Sequence, residues 1–151
     1  MNEGDSLPAI TVMTPDGTPL ALAAAPRPMV IYFYPKDDTS GCTREAQDFS
    51  ALREEFAAAG VSVIGISKDS PKSHAKFIAK HDLTVSLASD EDGTACEAFG
   101  VWKEKSMYGR TYMGIERATF LFDTDGKLVG KWGKVRVKDH AQTVLDAALA
   151  L

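Results

Sequence analysis

The run PMVIYFYP, Pro28 to Pro35, constrains the fold more than any other stretch of the chain. It is continuously apolar and β-prone, with none of the alternation of a strand that shows one face to water. That pattern predicts a strand buried on both faces. From Thr43 the period changes. Ala46, Phe49, Leu52 and Phe56 recur at three- and four-residue spacing, which makes a helix with one apolar stripe, and Gly60 is placed to end it. Between strand and helix lies a single cysteine, Cys42, with Gly41 just before it and Thr43, Arg44 and Glu45 just after.

The rest of the chain supplies the partners. VSVIGISK predicts a second strand, and Ser70 with Pro71 predicts the N-cap and first position of a helix running to about His81. A short strand near Val85 to Leu87 leads to an acidic turn, SDEDG, and a brief helix around Cys96. RATFLFDTDGKLVGKW predicts two strands joined at Asp-Thr-Asp-Gly, and the closing helix is capped by Asp139. At the front, AITVMTPDGTPLAL predicts a hairpin turning at Pro15-Asp16-Gly17. With that hairpin set aside, the order is βαβ, a helical connection, then ββα. This is the order of a thioredoxin-like domain: an α/β fold with a central mixed sheet flanked by helices, here carrying an N-terminal β-hairpin extension.

At 151 residues the chain suits one domain, 1–151, large enough to bury a core without staples. Apolar residues are 44 % and the formal charge is −4, which gives no electrostatic case for nucleic acid or an acidic membrane. No stretch approaches the roughly 18 apolar residues of a membrane span. The first ten residues lack the basic start and apolar core of a signal peptide. Two cysteines are too few for a secreted disulfide scaffold, so a reducing, cytoplasmic compartment is expected.

A thiol at a helix N-terminus meets about half a positive charge and several unpaired N–H donors, which stabilise a thiolate. Arg44 adds to this, and Gly41 lets the backbone approach a small ligand. A core cysteine would have apolar neighbours; Ser40, Gly41, Thr43 and Arg44 are not. Cys42 is therefore expected to be reactive.

Pro35, Thr39 and Cys42 form P-x-x-x-T-x-x-C, and FYPKDDTSGCTREAQDF resembles the active-site segment of peroxiredoxins, most closely the bacterioferritin comigratory protein (Q-type) subfamily. MYGRTYMGIERATFLFDTDGKL resembles that subfamily's second signature. The resemblance implies a thiol peroxidase for hydrogen peroxide and organic hydroperoxides, recycled by thioredoxin or a similar dithiol protein. It implies that Cys42 is the peroxidatic cysteine, whose thiolate becomes a sulfenic acid. Thr39 would hydrogen-bond the thiolate or peroxide, Pro35 would shield the pocket, and Arg117 would stabilise the thiolate and the leaving oxygen. Glu45 would orient an arginine. In-line cleavage of an O–O bond requires neither a metal nor a flavin, so no cofactor is expected. A monomer or weak homodimer is the expected assembly.

Many members of the subfamily carry a second cysteine five residues after the first; here that position is Gln47. The other thiol, Cys96, is expected to resolve the sulfenic acid, since a helix start favours thiolate character there too. Both short helices would have to open first, because a disulfide needs Cα atoms within about 7 Å. Otherwise an external thiol must do the work. A disulfide oxidoreductase is disfavoured because Cys42 has no C-x-x-C partner. A redox sensor or holdase using the same cysteine remains the alternative, and it would stall after about one equivalent of peroxide. His74, His81 and His140 show no zinc-site spacing, and SDEDG suits a solvated turn. Met107, Tyr108, Tyr112 and Met113 suggest an apolar patch where a reductant or subunit docks.

Overall fold

Strand β3 (Met29–Phe33) is fully buried and lies near the middle of a seven-stranded sheet. The computed structural model describes residues 1–151. The chain begins with β1 (Thr11–Met13) and β2 (Pro19–Ala21), and after β3 come α1 (Ser40–Ala51), α2 (Arg53–Ala58), β4 (Ser62–Ser67) and α3 (Pro71–His81). There follow β5 (Ser86–Ser89), α4 (Thr94–Ala98), β6 (Trp102–Met107), β7 (Arg110–Ile115), β8 (Ala118–Phe122), β9 (Leu128–Trp132) and α5 (His140–Leu149). The sheet order is β2-β1-β5-β4-β3-β8-β9. Strands β3, β4 and β5 run parallel, and β8 and β9 are antiparallel, so the sheet is mixed as expected. The front hairpin is more than an appendage. Met13 pairs with Ser89, which makes β1 and β2 an edge of the same sheet.

Because side chains alternate along a strand, β3 feeds two cores. Met29, Ile31 and Phe33 join one cluster with Ala95, Cys96, Phe99 and Phe120. Val30, Tyr32 and Tyr34 join the other with Cys42, Phe49, Phe56, Phe77, Val144 and Leu145. Helices α1, α2, α3 and α5 therefore cover one face, while α4 and the N-terminal segment cover the opposite one. Gly65 on β4 is required by this packing. A Cβ there would lie 2.5 Å from the Tyr32 ring and 2.8 Å from Leu87.

The apolar stripe expected as one helix is divided at Leu52, whose φ of −98° and ψ of 9° end α1 before α2 begins. Gly60 turns the chain at φ 73°, as its position suggests. Ser70 caps α3 by accepting a hydrogen bond from the Ser73 N–H, with Pro71 in the first turn. Asp139 precedes α5 but does so in a left-handed conformation, without a side-chain cap. Strands β6 and β7 were not expected from the sequence. They form a separate two-stranded ribbon turning at Tyr108 and Gly109, both at positive φ. Met107, Tyr108, Tyr112 and Met113 are exposed on it.

Candidate active site

The end of β3 delivers Tyr34 to the surface loop that begins at Pro35, and the loop turns directly into α1. Thr39 is the residue before the helix, extended at φ −94° and ψ 156°, and Cys42 is the third residue within it. Thr39 does not cap the helix with its side chain. Its hydroxyl donates instead to the Lys36 carbonyl at 2.9 Å, which leaves the oxygen lone pairs free to accept. Pro35, expected to shield the pocket, is itself exposed.

Cys42 is only 2 % exposed, yet its surroundings are polar on one side. Arg117 lies in the short link between β7 and β8. Its Nη2 donates to Cys42 Sγ at 3.2 Å and its Nη1 donates to Glu45 Oε1 at 2.7 Å. Cys42 and Glu45 stand three residues apart on α1, hence on one helix face, so a single planar guanidinium serves both. Gly41 makes room for it. A Cβ at Gly41 would come within 3.3 Å of Arg117 Nη2, so the glycine's task is to clear space for the cation, where the sequence had suggested a ligand.

The electrostatics follow from burial and pairing. Burial pushes the Glu45 carboxyl up to about 7 in spite of Arg117, and its Oε2 has no hydrogen-bond partner to offset the lost hydration. Burial weakens Arg117 as a base, but the charges of Glu45 and Cys42 more than reverse this and hold its proton on. His140, whose Nε2 lies 2.7 Å from the Thr119 hydroxyl, is brought down to about 4 by burial and then by Arg117.

The arrangement joins a thiol in the first turn of a helix to a fixed cation, and the residue before that helix, Thr39, has a hydroxyl free to accept. The sequence matches the AhpC/TSA family over residues 4–131. The chain belongs to that family. Within it the resemblance to the Q-type, or Bcp, peroxiredoxins holds over nearly the whole length. Peroxiredoxin Bcp of Xanthomonas campestris is 50 % identical over 149 residues, 95 % of this chain and 93 % of that protein. The structure of the Xanthomonas campestris bacterioferritin comigratory protein, studied for alkyl peroxide reduction, superposes with a TM-score of 0.89 at 47 % identity, covering 97 % of this chain and 98 % of the other. BcpB of Mycobacterium tuberculosis gives a TM-score of 0.87 at 34 % identity, covering 100 % and 98 %. The thioredoxin-like fold expected from element order, in the peroxiredoxin form that the motifs implied, is the fold of these relatives.

Cys96 departs from expectation. It is fully buried, in the core on the opposite face of the sheet from Cys42, and both thiols are free. Burial, and then Asp90, push its thiol far up, so the thiolate character expected at this helix start is absent. The reason is local. Asp90 accepts from the Ala95 and Cys96 N–H groups at 3.0 and 2.8 Å, which places a negative charge where the helix would otherwise favour one on sulfur. Asp90 is buried, so the SDEDG turn is not fully solvated as the sequence suggested.

The sequence also missed a cluster beside the site. Asp37, Asp69 and His74 bring ligand-type atoms within 4.8 Å of one another. Asp37 and His74 are far apart in the chain, so their spacing gave no hint. The available signal was the place of His74 on the apolar side of α3, one turn before Phe77.

Proposed function

We propose that Cys42 is the peroxidatic cysteine of a thiol-dependent peroxidase acting on hydrogen peroxide and organic hydroperoxides. The observation that carries this reading is the contact of 3.2 Å between Arg117 Nη2 and Cys42 Sγ at the start of α1. The thiolate attacks one peroxide oxygen in line with the O–O bond. That bond breaks, sulfur is oxidised to a sulfenic acid, and the second oxygen takes up a proton to leave as water or an alcohol. Arg117 first holds the thiolate charge and then the charge that builds on the leaving oxygen. Thr39, with its own proton committed to Lys36, accepts the hydrogen bond of the peroxide O–H. Glu45 aims the guanidinium, and Pro35 limits the access of water.

The sulfenic acid is then reduced by a thiol from outside the chain, such as that of thioredoxin or a similar dithiol protein. The buried, protonated state of Cys96 on the far face of the sheet supports this over internal resolution. Two free thiols fit a reducing compartment such as the cytoplasm. No helix is long and apolar enough to cross a membrane.

The test is the intact mass of the reduced protein after one equivalent of peroxide, measured beside Cys42→Ser and Cys96→Ser. Gain of oxygen in the wild type and in Cys96→Ser, with none in Cys42→Ser, is the expected result. Loss of two hydrogens in the wild type alone would restore Cys96 as the resolving residue. An unchanged wild-type mass would remove the peroxidase reading. Sustained peroxide consumption with a dithiol present then separates an enzyme from a sensor, which stops after one turnover.

A further inference from the structure

Asp37 and His74 form a buried pair that the chemistry above leaves unused, with side chains 5 % and 0 % exposed. The His74 Nε2 lies 3.0 Å from the Ala88 carbonyl, which can only accept, so Nε2 carries a hydrogen. Nδ1 lies 2.7 Å from Asp37 Oδ2. A carboxylate oxygen without a proton also only accepts, so a contact this short places one proton between the two groups. Two further donors converge on Asp37: the Tyr34 hydroxyl on Oδ1 at 2.6 Å and the Ser73 hydroxyl on Oδ2 at 2.8 Å. Burial raises the Asp37 carboxyl, and the hydrogen bonds from His74, Tyr34 and Ser73 more than reverse it, leaving it below its ordinary range. The Asp37 backbone N–H donates to Asp69 Oδ2 at 2.9 Å, and that oxygen also takes the Ser67 hydroxyl at 2.6 Å. Both His74 nitrogens and both Asp37 oxygens are thus engaged within the protein.

These bonds meet in the loop of the active site. Asp37 stands midway between Pro35 and Thr39 and is tied at once to the ends of β3 and β4 and to α3, which His74 in turn fastens to β5. The next residue, Asp38, is left-handed at φ 58° and binds Lys80 at 2.6 Å and His81 at 2.8 Å, again on α3. A buried, hydrogen-bonded Asp–His pair adds little net stability, because desolvation offsets the attraction, but it tolerates few geometries. Such a pair is suited to fixing a loop.

We propose that the Asp37–His74 pair is a positioning device for the peroxide reaction: it clamps the Pro35–Thr39 loop to α3 so that the Thr39 hydroxyl stands where peroxide meets Cys42. The inference rests on the peroxidase reading. It also separates two properties of Cys42, its general reactivity towards an electrophile and its specific speed with peroxide, since only the second needs Thr39.

The experiment measures two rates on the full-length reduced protein: oxidation of Cys42 by hydrogen peroxide, and its alkylation by iodoacetamide. The variants are Ser73→Ala, His74→Leu, Thr39→Val and the pair His74→Leu with Thr39→Val. Expected is a loss of about tenfold or more in peroxide rate for His74→Leu and a smaller loss for Ser73→Ala. Alkylation should stay within about twofold, and His74→Leu should add no loss in the Thr39→Val background. Equal slowing of both reactions, additive losses, or an unchanged peroxide rate would each overturn the proposal. If His74→Leu does not fold, Ser73→Ala with and without Thr39→Val decides by the same criteria. A wild-type protein inert to peroxide would instead overturn the peroxidase reading.

Discussion

Arg117 joins two jobs in one planar group, and the chemistry of that group predicts what its loss does. Arg117→Ala should lower the rate of Cys42 oxidation about 100-fold or more, the usual consequence of removing a preorganised donor from a developing negative charge. Arg117→Lys should recover only a part, because a point charge cannot donate to Cys42 Sγ and Glu45 Oε1 with the same fixed fork. Stopped-flow oxidation of the three proteins checks this; a lysine variant as fast as the wild type would show that charge alone suffices. Two neighbours set the response of stability to pH. His140 sits at about 4 in the folded protein against 6.5 ordinarily. Between those values the unfolded chain binds a proton that the folded one refuses, so a contribution present in full above pH 6.5 is lost as pH falls towards 4, at most about 3 kcal/mol. Glu45 runs the other way, at about 7 against 4.5. Its contribution is complete below pH 4.5 and is lost as pH rises through 7. Denaturant midpoints between pH 7 and 4 should therefore show less acid loss in His140→Asn than in the wild type. An identical pH profile would mean that His140 is not held neutral.

The elements that sequence pattern foretold best are those whose signals are local. Ser70, Pro71 and His81 bound α3 as expected because a cap, a fixed φ and a left-handed stop at Asp82 act within one turn. The Asp-Thr-Asp-Gly turn and the buried run of β3 were equally plain. The ribbon β6–β7 was not. Its residues are mostly exposed and its charges fall on both faces, so no period of two distinguishes it. Nor did the stripe through Phe49 and Phe56 reveal the break at Leu52, since both halves keep the same face inward. Gly65 is the element-scale prediction. Gly65→Ala would press a methyl into the buried Tyr32 ring and Leu87, and should destabilise the fold by about 1–3 kcal/mol or more. Urea unfolding measures it, and a loss under about half a kcal/mol would mean that Tyr32 moves aside freely.

For the whole molecule, the sheet itself decides the fate of the two thiols. Cys42 belongs to the core under α1 and α5, and Cys96 to the core under α4, with β3 between them. Neither can reach the other by a side-chain rotation. In the folded protein a thiol reagent should therefore modify Cys42 and leave Cys96 untouched, the latter reacting only at the rate at which α4 opens. Mass mapping of the labelled cysteines over time, with and without mild denaturant, checks this. Fast native labelling of Cys96 would show that α4 is loosely held and would return it to consideration as a resolving cysteine. The same sheet explains why Asp37 and His74 meet. Parallel pairing of β3 with β4, and of β4 with β5, brings the loop after β3 to the start of α3, a proximity no spacing encodes.

By itself the sequence determined the element order, the buried central strand, and a cysteine at a helix start within a recognisable motif. It also supplied Arg117 and Glu45 as candidates, because each motif lies in one continuous stretch of chain. Only the tertiary structure decided the rest: that one guanidinium spans Cys42 and Glu45, that burial and then Asp90 push the Cys96 thiol up, and that His74 pairs with Asp37 in the loop ahead of α1. Those outcomes depend on burial and on contacts between distant segments. Both set which charges survive, and neither is written in any window of sequence.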